Sequence, residues 1–206
     1  MTSTRTRQQT LYQVHFSKML EKAESRAQVL RHLGFHRDGL RPETATKMYK
    51  ILVRPILEYG AQVLSCRNYY RKSRRCLSVD EAPIWMKKIE ALQNKILKGI
   101  IPCPRATPPA LVRLFTGTIP MEGRLDMLKL RYFWKIQHTD QTRIVNRISN
   151  YKKQNFLESN VGFVHEIFNM CCKYNCMSIW HGKCPEGLNP YTRIKKIVEN
   201  SIMLKM

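Results

Sequence analysis

The sequence predicts an all-α fold: a helical bundle with a basic loop and a weakly patterned helical C-terminal tail. Three observations carry that expectation. Apolar residues recur at steps of three and four along most of the chain, which is the period of a helix face. No stretch of useful length alternates apolar with polar residues as a half-buried strand would. Proline, glycine and asparagine stand where the stripes start and stop, and no internal repeat with a period of about 20–50 residues is present.

The first stripe is Tyr12, Phe16, Met19, Leu20, Ala23, Ala27, Leu30 and Leu33, with Lys18, Lys22 and Arg26 down the other side and Gly34 as its stop. Pro42 opens a second helix, striped by Ala45, Met48, Tyr49, Leu52, Ile56 and Tyr59 and ended by Gly60. Pro55 lies inside it and predicts a kink near Arg54, because proline has no N–H to give and its ring crowds the preceding turn. Residues 66–76 read as a loop. Ser78 and Glu81 have capping-box spacing ahead of a third stripe, Ile84, Trp85, Ile89, Leu92, Ile96 and Ile100, which Pro102 and Pro104 stop.

Thr107 is placed to cap a short helix begun by Pro108 and closed by Gly117. Residues 121–138 then form a long helix with Leu125, Leu128, Tyr132 and Ile136 inward and Met127, Leu130 and Trp134 on its other side. A helix apolar on more than one face is either buried between neighbours or open to a partner. The pattern weakens past Asp140 in the polar stretch QTRIVNRISNYKKQN. A further helix carries Val164, Ile167, Phe168 and Cys171, and Asn189 with Pro190 supplies a cap and first turn for a last one bearing Ile194, Ile197 and Val198. The expected division is a helical domain over 1–138 and a basic tail with a Cys/His cluster over 139–206, with Leu52, Tyr59, Leu92, Ile96, Leu125 and Leu128 in the core.

At 206 residues and 43% hydrophobic, the chain has the means to bury a core, which argues against disorder. Thirty-six Lys and Arg against fifteen Asp and Glu give a net charge of +21, and a polyanion best relieves such self-repulsion. Nucleic acid is the leading partner. A membrane surface is the rival, but no apolar run approaches the ~20 residues a spanning helix needs and no signal-peptide core follows Met1. Seven cysteines, an odd number without a secretory signal, point to reduced thiols in the nucleus or cytoplasm. The basic, acid-free start also suits a mitochondrial presequence, though an N-terminus cut from a longer basic protein accounts for it better.

The chain is not expected to be an enzyme. Two-metal polymerase chemistry needs clustered carboxylates, and Asp38, Asp80, Asp126 and Asp140 include no adjacent pair. Phosphate loops, a GxSxG elbow and an HExxH zinc helix are also missing from the sequence. No organic cofactor is implied.

Two constellations have binding chemistry. Cys172, Cys176, His181 and Cys184, spaced C-x3-C-x4-H-x2-C, supply the thiols and imidazole of a tetrahedral zinc site; the alternative is a set of free thiols. In CRNYYRKSRRC, Arg67, Arg71, Lys72, Arg74 and Arg75 surround Tyr69 and Tyr70. Arginine bonds phosphate in two-pronged fashion and tyrosine stacks on unpaired bases, so the mixture suits a nucleic-acid backbone; a solvated loop or an import signal is the plainer reading. Lys18, Lys22, Arg26, Arg124, Arg131 and Lys135 form a second tier of phosphate contacts.

The order of parts across Tyr12–His138 resembles the region after the polymerase core in LINE-type reverse transcriptases, those of non-LTR retrotransposons. The residues that carry the likeness are Gly39, Leu40, Ala45, Tyr49, Val53, Pro55, Leu57, Tyr59 and Gly60; then Ile89, Leu92 and Gln93; Arg105, Thr107 and Pro108; and Gly117, Pro120, Arg124, Leu128, Leu130, Phe133 and Lys135. The resemblance implies thumb and post-thumb helices that hold a template-primer duplex by its backbone beside a polymerase core this chain lacks. Leu64-Ser65 and Phe115-Thr116 depart from the pattern, where a tryptophan and an acidic-leucine pair are expected, which sets the primer-side packing apart. Some relatives carry a Cys/His cluster after this region. The partner so implied is RNA, DNA or an RNA:DNA duplex. An α-helical interaction module that docks a partner on the 121–138 helix, or a relic without function, is the alternative.

Overall fold

The computed structural model describes residues 3–34, 39–60, 62, 84–104, 106–155, 162–183 and 189–203, with side chains from residue 14 onward and Ile84's excepted. Among them the secondary structure is helix and turn, with no strand. The helices are α1 (Ser3–His32), α2 (Pro42–Met48), α3 (Arg54–Glu58), α4 (Ile84–Ile100), α5 (Pro109–Thr116), α6 (Met121–Gln137), α7 (Ile144–Gln154), α8 (Phe163–Lys173), α9 (Met177–Trp180) and α10 (Pro190–Met203). A π-helical turn, Tyr49–Val53, joins α2 to α3. The side chain of Tyr12, the capping pair Ser78 and Glu81, and the basic loop lie outside the described residues.

The chain divides into two compact units. The first is Met1–Tyr59 with Ile84–Thr118, and the second is built on Ile119–Met206. This division falls ahead of α6, whereas the sequence suggested one after it, at 138. The reason is packing: α6 lies against α7, α8 and α10, and its apolar residues belong to the core those helices share.

In the first unit α1 packs on α3 and α4, and α2 on α4 and α5. Phe16, Met19, Ala23, Ala27 and Leu30 form the buried side of α1, and Phe16 stacks on Trp85 at 5.6 Å. Leu33, one turn beyond, is exposed. Ile89, Leu92, Ile96 and Ile100 are buried on α4, as its stripe predicted, and Leu97, outside that stripe, is buried with them. Arg113 of α5 pairs with Glu90 and donates to Asn94 at 3.1 Å, while Lys50 donates to the Gly117 carbonyl at 3.2 Å, where α5 ends and cations are favoured. Thr107 does not cap α5: Pro108 occupies the N-cap position, without a side-chain bond.

Leu52 and Tyr59 were expected in the core but are 41% and 73% exposed. Ala45, Tyr49, Val53 and Leu57 are buried instead, at successive steps of four. In a regular α-helix such steps drift around the axis. Here the Arg54 N–H bonds the Tyr49 carbonyl, an i→i+5 closure that takes an extra residue into the turn and keeps every fourth residue aligned. Pro55 explains why the wide turn sits there: it offers no N–H to Ile51, and a regular turn would set its ring against that carbonyl.

The second unit is organised around Met127, Leu130, Phe133 and Trp134 of α6, Val164, Ile167, Met170 and Cys171 of α8, Ile179 and Trp180 of α9, and Ile194 and Val198 of α10. Phe133 stacks on Trp180 at 5.8 Å, and Phe168 meets the same indole edge-on at 5.2 Å. Gly123 lets α10 approach α6 closely, since a Cβ there would lie 2.2 Å from Ile202 Cδ1. Asn189 caps α10 through a 2.9 Å bond from the Tyr191 N–H. Leu128 and Tyr132 are half-buried, because the side of α6 they share with Arg124, Arg131 and Lys135 is the one left toward solvent. Of the two readings of a helix apolar on more than one face, burial between neighbours is the one α6 shows, with α8 and α10 packed against it.

Charged groups also enter this core. Lys129 and Glu166, each 2% exposed, form an ion pair between α6 and α8. Beside them Asp126 accepts bonds from Tyr174 Oη at 2.8 Å and Lys173 Nζ at 3.1 Å, and Lys173 also reaches Glu122 at 2.8 Å. Every carboxylate taken out of water thus has a cation or a hydroxyl in place of it.

Candidate nucleic-acid interface

Burial of the apolar side of α1 leaves Lys18, Lys22 and Arg26 exposed beside it at steps of four, so their charges form one column. Glu21 and Glu24 are exposed on the same helix to one side of that column. A second basic face lies on α4, where Lys87, Lys88 and Lys95 are exposed and Lys98 half-buried, and Lys88 sits 5.2 Å over the Trp85 ring. Glu90, the acidic residue of that helix, pairs with Arg113 of α5. The α4 lysines are not among the cations expected from the sequence, because the pattern read there was the apolar stripe. Plotting the charges on the same helix would have shown them.

The remaining second-tier residues belong to the other unit. Arg124, Arg131 and Lys135 share one side of α6, but only Lys135 is fully exposed. Arg131 donates to the Tyr191 carbonyl at 3.0 Å and lies 6.0 Å from that ring, so α10 holds its guanidinium. The loop residues Arg67, Tyr69, Tyr70, Arg71, Lys72, Arg74 and Arg75 lie outside the described residues.

The described members of the cysteine cluster, Cys172, Cys176 and His181, are not gathered around one point. Cys172 and His181 are exposed, Cys176 is buried, and Cys184 lies outside the described residues. Among the described residues no three His, Cys, Asp or Glu side chains come close enough to share an ion. The turn after α8 explains this, because the Cys176 N–H bonds the Cys171 carbonyl at 2.9 Å and folds Cys176 back onto Cys171 rather than toward Cys172. A hydrogen bond between the two buried thiols, with desolvation, pushes Cys171 well above the usual thiol range, and the same bond draws Cys176 down. Cys172 is accordingly expected to react with a thiol reagent such as 5,5′-dithiobis(2-nitrobenzoate) in the folded protein. Cys171 and Cys176 should react only on unfolding, and mass mapping of the labelled cysteines checks this order.

Asp126 is buried against Tyr174 and Lys173, and Asp140 accepts the Thr142 N–H at 3.0 Å, a bond that holds its carboxyl below the usual range. Asp38 and Asp80 lie outside the described residues. No helix among the described residues is long and apolar enough to cross a membrane. Comparison of the chain with protein-family models, with curated proteins and with solved structures found no match.

Proposed function

We propose that this chain binds nucleic acid through its phosphates, without sequence preference, as a piece similar to the thumb and post-thumb part of a non-LTR retrotransposon reverse transcriptase and without the polymerase active site. The observation that carries the reading is a net charge of +21 together with the uninterrupted lysine face of α4 and the cation column of α1. RNA, DNA and RNA:DNA duplex all offer the required phosphates, and the nucleus or cytoplasm is where they would be met. The loop from Arg67 to Arg75 joins arginine to tyrosine and would add stacking on unpaired bases.

Contacts to about six phosphates should make log affinity fall with log salt at a slope near −0.9 per contact on B-form duplex and about −0.7 on single strands. Replacing Arg67, Arg71 and Arg74 by alanine should shallow that slope by roughly two to three units. The triple change of Lys87, Lys88 and Lys95 to alanine should act in the same direction. Anisotropy titrations of labelled duplex and single strand across salt decide it. An unchanged slope in both triple variants removes these residues from the interface, and absence of binding at low salt removes the function.

A further inference from the structure

Helix α7 is built inside out. Its inward side is polar: Asn146 and Ser149 are buried, and the Asn146 side-chain amide donates to the Thr139 carbonyl at 2.6 Å. The Asn150 amide in turn donates to Asn146 Oδ1 at 2.6 Å, and Lys153 lies 5.1 Å over the Trp180 ring. Its apolar residues point outward, with Ile144 71%, Val145 51%, Ile148 51% and Tyr151 66% exposed. Anchoring by polar bonds leaves the helix free to present four large apolar side chains, which soluble surfaces ordinarily scatter rather than align.

The alignment has a specific form. Ile144, Ile148 and Tyr151 stand at steps of four and three, the seam of a two-helix coiled coil. Arg147 and Lys152 flank the seam on its two sides, Arg143 stands just before the helix, and α7 contains no acidic residue. In such pairings the flanking charges choose the partner.

We propose that the outer face of α7 docks an amphipathic helix of a partner protein that carries glutamate or aspartate on both sides of its own apolar seam. A second copy of this chain is a poor occupant, because in either orientation the cations beside the seam would meet cations. Nucleic acid would bring phosphates against aliphatic side chains. An anionic bilayer would supply the charge, but the face is narrow and β-branched and lacks the Trp, Phe and Leu residues with which interfacial helices anchor. This inference stands apart from the nucleic-acid reading, since the α7 seam takes no part in it.

The experiment uses the full chain and a labelled peptide of about three heptads, with Ile and Leu along the seam and Glu beside it. Its comparators are a scrambled peptide of the same composition, a version with Lys in place of Glu, and phosphatidylcholine vesicles containing phosphatidylserine. The Glu peptide should bind at least about tenfold more tightly than the scramble, which matches its charge without the seam. Ile148→Asp, at an exposed position, should erase that margin with the circular dichroism spectrum unchanged. Arg147→Glu with Lys152→Glu should transfer the preference to the Lys peptide, and this reversal decides the matter if Ile148→Asp disturbs the fold. Equal binding of the Glu peptide and its scramble overturns the proposal. Vesicle binding or self-association that Ile148→Asp abolishes, without a peptide margin, also overturns it, in favour of a lipid surface or a second copy.

Discussion

Replacing Glu166 by alanine is expected to lower the stability of the second unit by about 3–5 kcal/mol, the cost of leaving the Lys129 ammonium buried without its counter-charge. Lys129 and Glu166 are each 2% exposed, so water cannot take the place of the missing partner. Lys129→Met should cost less than Glu166→Ala, since methionine fills the volume of the lysine stem whereas alanine leaves a cavity beside the stranded ammonium. The double variant Lys129→Met with Glu166→Leu should recover most of the loss and can exceed the parent. Desolvating two ions consumes much of their attraction, and an apolar pair of similar volume avoids that cost. Urea unfolding of the four proteins checks this order; a double variant no more stable than Glu166→Ala would show that the pair contributes attraction well beyond its desolvation.

That pair also shows why part of the fold was legible in the sequence and part was not. The stripes of α1 and α4 depend on residues that are apolar and inward, and they can be read directly. The α10 cap could be read as well, because Asn189 followed by Pro190 needs no tertiary context. Lys129 looks like a solvent residue until Glu166 is seen across from it, and the two are 37 positions apart. Helix α7 was hidden for the complementary reason: its inward residues are Asn146 and Ser149, so a search for inward apolar residues finds only a weak pattern. The burial of Val53 and Leu57 in place of Leu52 and Tyr59 turns on one wide turn, whose consequence for register is set by packing even though Pro55 marks its place. For the candidate interface, the sequence singled out the α1 column from charge and period. It missed the α4 lysines, and it grouped Arg131 with free cations although α10 holds it.

A comparably large effect is expected of Phe133→Ala. Phe133 is fully buried one turn before the end of α6, stacks on Trp180 at 5.8 Å with 17° between the rings, and lies 6.4 Å from Phe163. Truncation removes the ring's burial and leaves a cavity that rigid neighbours on α8 and α9 only partly refill, a loss of about 3–5 kcal/mol. Phe133→Leu restores most of the volume and should cost roughly 1–2 kcal/mol. Tryptophan emission offers a local reading, because Trp134 and Trp180 belong to this core while Trp85 lies in the other unit. In denaturant the red shift of Phe133→Ala should begin earlier than in the parent, by the amount the stability loss dictates through an unchanged slope. The same variant bears on docking at α7. That helix carries no inward apolar residue to hold it in place, and Lys153 rests on the Trp180 ring that Phe133 supports from its other neighbours. Conditions that unfold the second unit should therefore abolish recognition of the acidic peptide at the same denaturant concentration. A Phe133→Ala protein that loses less than about 1 kcal/mol would mean that the aromatic stack around Trp180 is not the close-packed centre of this unit.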